Sequence, residues 1–529
     1  MKSRLSYFLI SGIIILSISI AAFIWINKHL HGISKLNNKS FTAPISSNYI
    51  PENADFIFHW KINPTMLPNY IGSNIDQRNE KLIDTNMKLI RDTSFQLIGL
   101  DFTKDIAEWS GEYGSFSIFS SNNQPLYDWL MVIEIKKDIN ISNEIKSIDK
   151  LSIIDEDTNE NNKVNMTESN IISKRINSNE SIFFLNEKEH LLISSNPSLI
   201  KSSINQLENN KLSIKEKYKN IQLKDNINNG ILLLEMSPKK IFNLIGQGKG
   251  LLKIDEAEKL ISSINIDKKK LALEGILSYS IKDKRPIDAI SNNLNLIEEN
   301  FSIFDNSILI DNPKQYFRKK VNHPYQELIA SIIKNSIKKD YSNLIKIILE
   351  NTTGNLIWLK DKEWLAITKK ADSNKQEISN NLKKEQFLNS NLEFKNKNLE
   401  VWSKITANNN DNKKNELKEN IEAIIEDNED VYLWSQDLSS ISNFNNNLET
   451  NIDSALNQEE NNNFDDVLII HLGNHKTKEF LSNFYPYILL KTMLGNKIDF
   501  PQNIDISVAI PSINYPSFVK FKVDLKTSY

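Results

Sequence analysis

"GSFSIFSSNNQPLYDWLMVIEIKKDINISNEIKSI" (114–148) and "GNLIWLKDKEWLAITKKADSNKQEISNNLKK" (354–384) follow one plan. Each begins at a glycine and runs through an apolar strand and a tight turn. A second strand opens with an acidic residue, Trp and Leu, and after Lys-Lys comes an Ile-bearing stretch at helical spacing. Gly114 to Trp129 is 15 positions and Gly354 to Trp364 is 10, so the two turns are read as differing by five residues. The match predicts a duplicated unit, a two-stranded hairpin followed by a helix, with Trp129 and Trp364 at equivalent places. Hairpins whose helices lie on one sheet face make an α+β protein with mixed, mainly antiparallel sheets.

A second outline recurs in "ADFIFHWKINPTMLPNYI" (54–71), "NGILLLEMSPKKIFNLIG" (229–246) and "EDVYLWSQDLSSISNFNN" (429–446). Each is a short apolar strand, a polar or Pro turn, and a helix. Further strands are predicted at 128–136, 181–186 and 190–194. Helices are predicted at 64–72, 78–91, 140–150 and 197–209, the last opening on Asn196-Pro197. Three polar segments, 155–170, 407–420 and 445–466, read as loops. Their composition buries too little apolar surface to offset the entropy of ordering.

Upstream, residues 7–26, "YFLISGIIILSISIAAFIWI", carry no charge, and twenty helical residues span a bilayer core of about 30 Å. The apolar run continues past the small residues around Ala21. It therefore reads as a retained anchor rather than a cleaved signal peptide. The expected organisation is an anchor at 1–27, a polar linker at 28–48, and modules at 49–225, 226–345 and 346–529, the third partly repeating the first. Flanking charge leans toward the N-terminus inside and the large domain outside the cytoplasm.

Composition removes several functions. The 529 residues carry a formal charge of −3, with 25% charged and 40% hydrophobic residues. That balance fits a globular chain and gives no basic surface for nucleic acid. Cysteine is absent, which removes disulfides, thiolate nucleophiles and cysteine-held metals. Asn, Lys, Ile and Ser are abundant throughout and read as coding bias, so runs of Asn and Lys say little.

Asp155, Asp157 and Asn159 open like a calcium loop, but Glu160 stands where Gly is needed and Met166 where Glu is needed. "GQGKG" (246–250) follows a helix and lacks the closing Lys-Ser/Thr of a phosphate loop. Ser198–Lys201, Ser237–Lys240 and Ser331–Lys334 have Ser-x-x-Lys spacing without the companion Lys-Thr-Gly. His471 and His475 lie four apart, but "VLIIHLGNH" reads as a buried strand ending at Gly473, so they do not share a face. His59 is read as a partly exposed strand histidine opposite Phe56, Phe58 and Trp60, with no local partner, and Trp60 as a buried strand aromatic. No catalytic, cofactor-binding or metal residue is assigned. "FYPYILLKTML" (484–494) is too short to span a membrane and reads as a core helix.

Pro51, Ala54, Asn63-Pro64, Gly99-Leu100-Asp101, Asp105-Ile106 and Trp109-Ser110-Gly111, with "EKEHLLISSNPSLIKSSI" (187–204), resemble a cyanobacterial family known only as domain of unknown function 3352. The resemblance implies a membrane-tethered extracytoplasmic protein without an established activity. The expected role is therefore binding or scaffolding, with the bilayer, through residues 7–26, as the one nameable partner. Two alternatives stay open: an envelope hydrolase or transferase with a site between modules, and a lipid or small-solute binder.

Overall fold

A computed structural model describes residues 44–61, 100–120, 127–136, 151–153, 171–177, 180–209, 232–238, 258–267, 270–279, 305–317, 324–408, 416–448, 464–483, 502–511 and 518–526, with single positions at 88, 92, 95, 96 and 230. The anchor at 7–26, the helices expected at 64–72, 140–150 and 484–494, the acidic loop at 155–170 and the glycines of 246–250 lie outside these residues, as does nearly all of 78–91. Among the described residues no helix is long and apolar enough to cross a membrane.

Among the described residues twenty strands form one antiparallel sheet. The first ten are β1 (Phe56–Trp60), β2 (Ser110–Ser120), β3 (Tyr127–Ile135), β4 (Leu151–Ile153), β5 (Ile172–Asn177), β6 (Glu180–Glu187), β7 (His190–Ser194), β8 (Leu232–Met236), β9 (Lys259–Asp267) and β10 (Lys270–Ser278). The second ten are β11 (Asn306–Ile310), β12 (Leu356–Lys360), β13 (Trp364–Lys369), β14 (Leu388–Phe394), β15 (Lys397–Asn408), β16 (Glu416–Asp427), β17 (Val431–Ser435), β18 (Phe464–Leu472), β19 (Asn503–Pro511) and β20 (Phe518–Lys526).

The ladders give one order across the first half, β4-β5-β6-β7-β3-β2-β1-β8-β9-β10. They give the same order in the second, β14-β15-β16-β17-β13-β12-β11-β18-β19-β20. The halves meet where β10 pairs β20, equivalent strands side by side and antiparallel. The pairing thus contains a twofold repeat of strand order that the three-module reading of the sequence does not.

Placing Trp129 on Trp364 and following the ladders brings the strand ends into coincidence. Phe56–Trp60 falls on Asn306–Ile310, His190–Ser194 on Val431–Ser435, and Lys259–Asp267 on Asn503–Pro511. The predicted hairpins are therefore present, with the two tryptophans equivalent. The glycines are not. Gly114 pairs Ile133 and falls on Leu356, which pairs Thr368. Trp129 lies opposite Ile118 and Trp364 opposite Lys360, separations of 129 − 118 = 11 and 364 − 360 = 4, so the turns differ by seven residues rather than five. Gly114 is fixed by a different need, because a Cβ there would come within 2.1 Å of the Trp60 indole. The outline shared by 54–71, 229–246 and 429–446 joins strands that are not equivalent (β1, β8 and β17), so it reflects a common local pattern and not the duplication.

Helices cover the sheet: α1 (Pro197–Asn209), α2 (Lys314–Phe317), α3 (Pro324–Ser336), α4 (Asn343–Asn351), α5 (Lys375–Lys384), α6 (Leu438–Leu448) and α7 (Asn474–Asn483). In the second half, Trp358, Trp364, Trp402 and Trp434 share a core with Ile329 and Ile333 of α3, Ile345 and Ile348 of α4, and Ile378 and Leu382 of α5. On the opposite face Ile357, Leu365, Ile367, Val401 and Leu433 pack with Ile441 and Phe444 of α6. The first half repeats that second layer, with Leu130, Val132 and Leu192 against Ile200 of α1. Helix α1 and its partner α6 both follow the strand beside the tryptophan hairpin. Burial on both faces explains why the central strands read as continuous apolar runs.

Candidate functional site

Among the described residues, three groups carry chemistry or exposed apolar surface. The first is centred on His59. Strand β1 lies between β2 and β8 and is covered on both faces, so the side chain is fully buried rather than partly exposed. Directly opposite on β2, Ser115 places its Oγ 2.5 Å from His59 Nδ1 and 2.5 Å from Ser46 Oγ. Burial, helped by the Lys61 charge, lowers the His59 pKa to about 3, and burial lowers that of Lys61 to about 8. A neutral imidazole thus ties the segment entering the sheet to its central strands. Ser115 and Ser46 were not visible as its partners, since only strand register brings them to His59. Trp60 is half-buried, with its ring above Gly114.

The second group lies along the seam between the halves. His471 Nδ1 is 2.6 Å from Asp505 Oδ1, and Asp505 faces Asp524, whose carboxylate is 3.3 Å from Lys522 Nζ. In the first half Glu235 occupies the place of His471 and takes Lys259 Nζ at 2.5 Å. Ser307, His471 and Asp505 occupy directly paired positions on β11, β18 and β19, in the order of a nucleophile, base and orienting acid. The Ser307 hydroxyl, however, is fully buried and makes no hydrogen bond among the described residues. A nucleophile needs both its base and access to substrate, and here it has neither. This group holds buried charge in pairs, as burial requires.

The sequence expectation for the two histidines holds. His471 is the penultimate residue of β18, and His475 is the second residue of α7, beyond Gly473 and 82% exposed beside Asp305. No cluster of three His, Asp or Glu side chains suited to a metal occurs among the described residues. Ser198 and Lys201 lie on α1 and Ser331 and Lys334 on α3, within helices that pack on the sheet.

The third group is the edge meander β14-β15-β16. Of the seven exposed large hydrophobic residues among those described, five are here: Leu388, Leu392, Ile405, Leu417 and Ile421, with Leu417 75% exposed. Register puts all five on one face. Leu388 pairs Ser403, Leu392 pairs Leu399, Ser403 pairs Ile421, and Ile405 lies two residues beyond Ser403. That face continues the core of Leu399, Val401 and Ile424. A register shift at Trp402/Ser403 inserts Glu422 as an extra residue on β16. Without it, Lys418 and Asn420 would share the face of Ile424; with it, Leu417 and Ile421 do. A bulge re-aims side chains in this way.

As β4 ends the sheet on the side of the first half, β14 ends it on the side of the second. All but one of its seven residues are exposed, and among the described residues no strand pairs its outer edge. Edge strands are ordinarily guarded by Lys or Pro. "LNSNLEF" has neither, and Glu393 is its single charge. The segment 407–420 reads as a loop by composition, yet β15 runs to Asn408 and β16 begins at Glu416. Local periodicity does not mark it, because Glu419 stands on the same face between Leu417 and Ile421, where it accepts a hydrogen bond from Ser403 Oγ at 2.5 Å.

The fold and its surfaces define a duplicated antiparallel sheet protein with helix-covered faces, whose described residues leave the outer edges of β4 and β14 unpaired. The chain belongs to the family described as "Protein of unknown function (DUF3352)", whose profile matches residues 8–525. No curated protein matches it. Two solved structures of TP0453, crystal forms IV and III, each align at 9% identity, with TM-scores of 0.26 and 0.27. They cover 45% and 46% of this chain and 81% and 82% of their own. Likeness at that level carries no argument about function.

Proposed function

We propose that the protein acts by binding another protein chain through the β14–β16 meander, as an assembly surface tethered to a membrane. The supporting observation is the single face bearing Leu388, Leu392, Ile405, Leu417 and Ile421, aimed there by the β16 bulge and bounded by an unguarded strand edge. Exposed apolar side chains gathered on one face, here with Ser390, Ser403 and Glu419 among them, mark interaction sites, and a bare edge accepts an added strand by main-chain hydrogen bonds. The uncharged stretch at 7–26 supports a retained anchor with the sheet outside the cytoplasm.

A photocrosslinking amino acid at Leu417, in intact membranes, tests the surface. Protein adducts at Leu417 and none at exposed Ser198 are expected; equal labelling at both positions contradicts the reading. Alkaline phosphatase fused to the C-terminus tests the topology. Activity is expected, and an inactive fusion places the sheet on the cytoplasmic side.

A further inference from the structure

We infer that the occupant of the β14 edge is a second copy of this chain, paired β14 to β14 about a twofold axis. The inference rests on the binding surface proposed above and names its partner. The fold itself contains the precedent. Strands β10 and β20 hold the same place in the two halves, and they pair antiparallel along nine positions, from Lys270 opposite Lys526 to Ser278 opposite Phe518. Sheets of this order therefore join through equivalent strands; of the two described terminal strands left open, β4 and β14, it is β14 that carries the exposed Leu388 and Leu392.

The residues of β14 suit self-pairing. A twofold axis perpendicular to the sheet keeps each face on its own side, so paired residues must be an even number apart in sequence. Centred on Ser390, Leu388 meets Leu392 of the other copy twice on the apolar face, and Asn389 meets Asn391 twice on the polar face. Neither pair brings like charges together, and Glu393, the one charge of the strand, lies outside both. Leucine pairs and amide pairs directly across strands are favourable, whereas like charges there are not. The meanders then continue as six strands, with Leu388 and Leu392 of both copies across the join and Ile405, Leu417 and Ile421 on the same face of the strands beyond. A closed twofold contact of this type uses the same patch on both partners and stops at two copies.

The absence of cysteine makes the test direct. Ser390→Cys introduces the chain's single thiol at the axis, where paired Cβ atoms lie about 4.5–5.5 Å apart, within easy reach of a disulfide after small adjustment. Full-length Ser390→Cys protein is oxidised in its membranes with copper phenanthroline. Most of the chain is expected to run at twice its mass without reductant, and Ser198→Cys protein to remain single. Adding Leu392→Lys should abolish the crosslink by placing charge beside the axis. Sedimentation of the detergent-solubilised wild type should give two copies. A Ser390→Cys chain that stays single, with a wild type of one copy, overturns the inference. If Leu417 adducts to other proteins persist in that case, the binding surface stands and only its partner changes; if they too are missing, both readings fail.

Discussion

Trp364 stacks on Trp358 with ring centroids 5.0 Å apart and planes 13° apart, and Trp129 lies on Phe116 in the equivalent place at 6.0 Å and 21°. Both pairs sit across a hairpin, β12 with β13 and β2 with β3, and the two tryptophans are 3% and 8% exposed. The duplication therefore preserves a side-chain contact as well as an order of strands. Because each indole fills space that its neighbours cannot close, Trp364→Ala and Trp129→Ala should each lower stability by about 3–5 kcal/mol. Denaturant midpoints measure this. A loss well under 1 kcal/mol at either position would mean that the stack does not support its half.

At the seam, Gly275 of β10 lies directly opposite Phe521 of β20. A Cβ at Gly275 would come within 2.4 Å of the Phe521 ring and 2.7 Å of the Ile261 carbonyl oxygen. The ring can turn aside but the carbonyl belongs to the β9 backbone. Gly275→Val should therefore destabilise by about 1–3 kcal/mol or more, and adding Phe521→Ala should not restore the loss. Full rescue by Phe521→Ala would assign the whole constraint to the ring.

Acid should weaken the fold through His59. Unfolded, its imidazole takes a proton near pH 6.5; folded, burial delays that to about pH 3. Between those values the unfolded chain binds more protons, so stability is full above pH 6.5 and falls as pH drops toward 3. The limiting slope is about 1.4 kcal/mol per pH unit. His59→Gln removes the titrating group, and the difference between wild-type and variant urea stabilities should shrink across this window. Parallel curves would show that His59 titrates alike in both states.

How far the sequence speaks depends on what each signal needs. The strands near 55–61, 114–120, 128–136 and 190–194 and the helix at 197–209 were legible because local periodicity and an Asn-Pro start mark them. The tryptophan equivalence was legible because both residues open a second strand after a tight turn. The meeting of His59 with Ser115, 56 residues apart, was not, since register across β1 and β2 is a long-range fact. Burial of His59 was missed for a related reason: alternation tells that a strand has two faces, not that both are covered. The binding face was hidden by composition. Leu417 and Ile421 follow an Asn- and Lys-rich stretch of sequence, and only the bulge at Glu422 brings them to the side of Ile424.

Photocrosslinking from Ile405 in a Leu392→Lys, Leu417→Lys background tests the central claim most directly. Both substituted leucines are exposed, so each change should alter stability by no more than about 0.5 kcal/mol, and the thermal melt serves as the control for folding. The account predicts an unchanged melt together with loss of the protein adducts that Ile405 gives in the otherwise wild-type chain. Undiminished adducts from a folded variant would contradict the claim that this apolar edge face is the surface by which the protein acts.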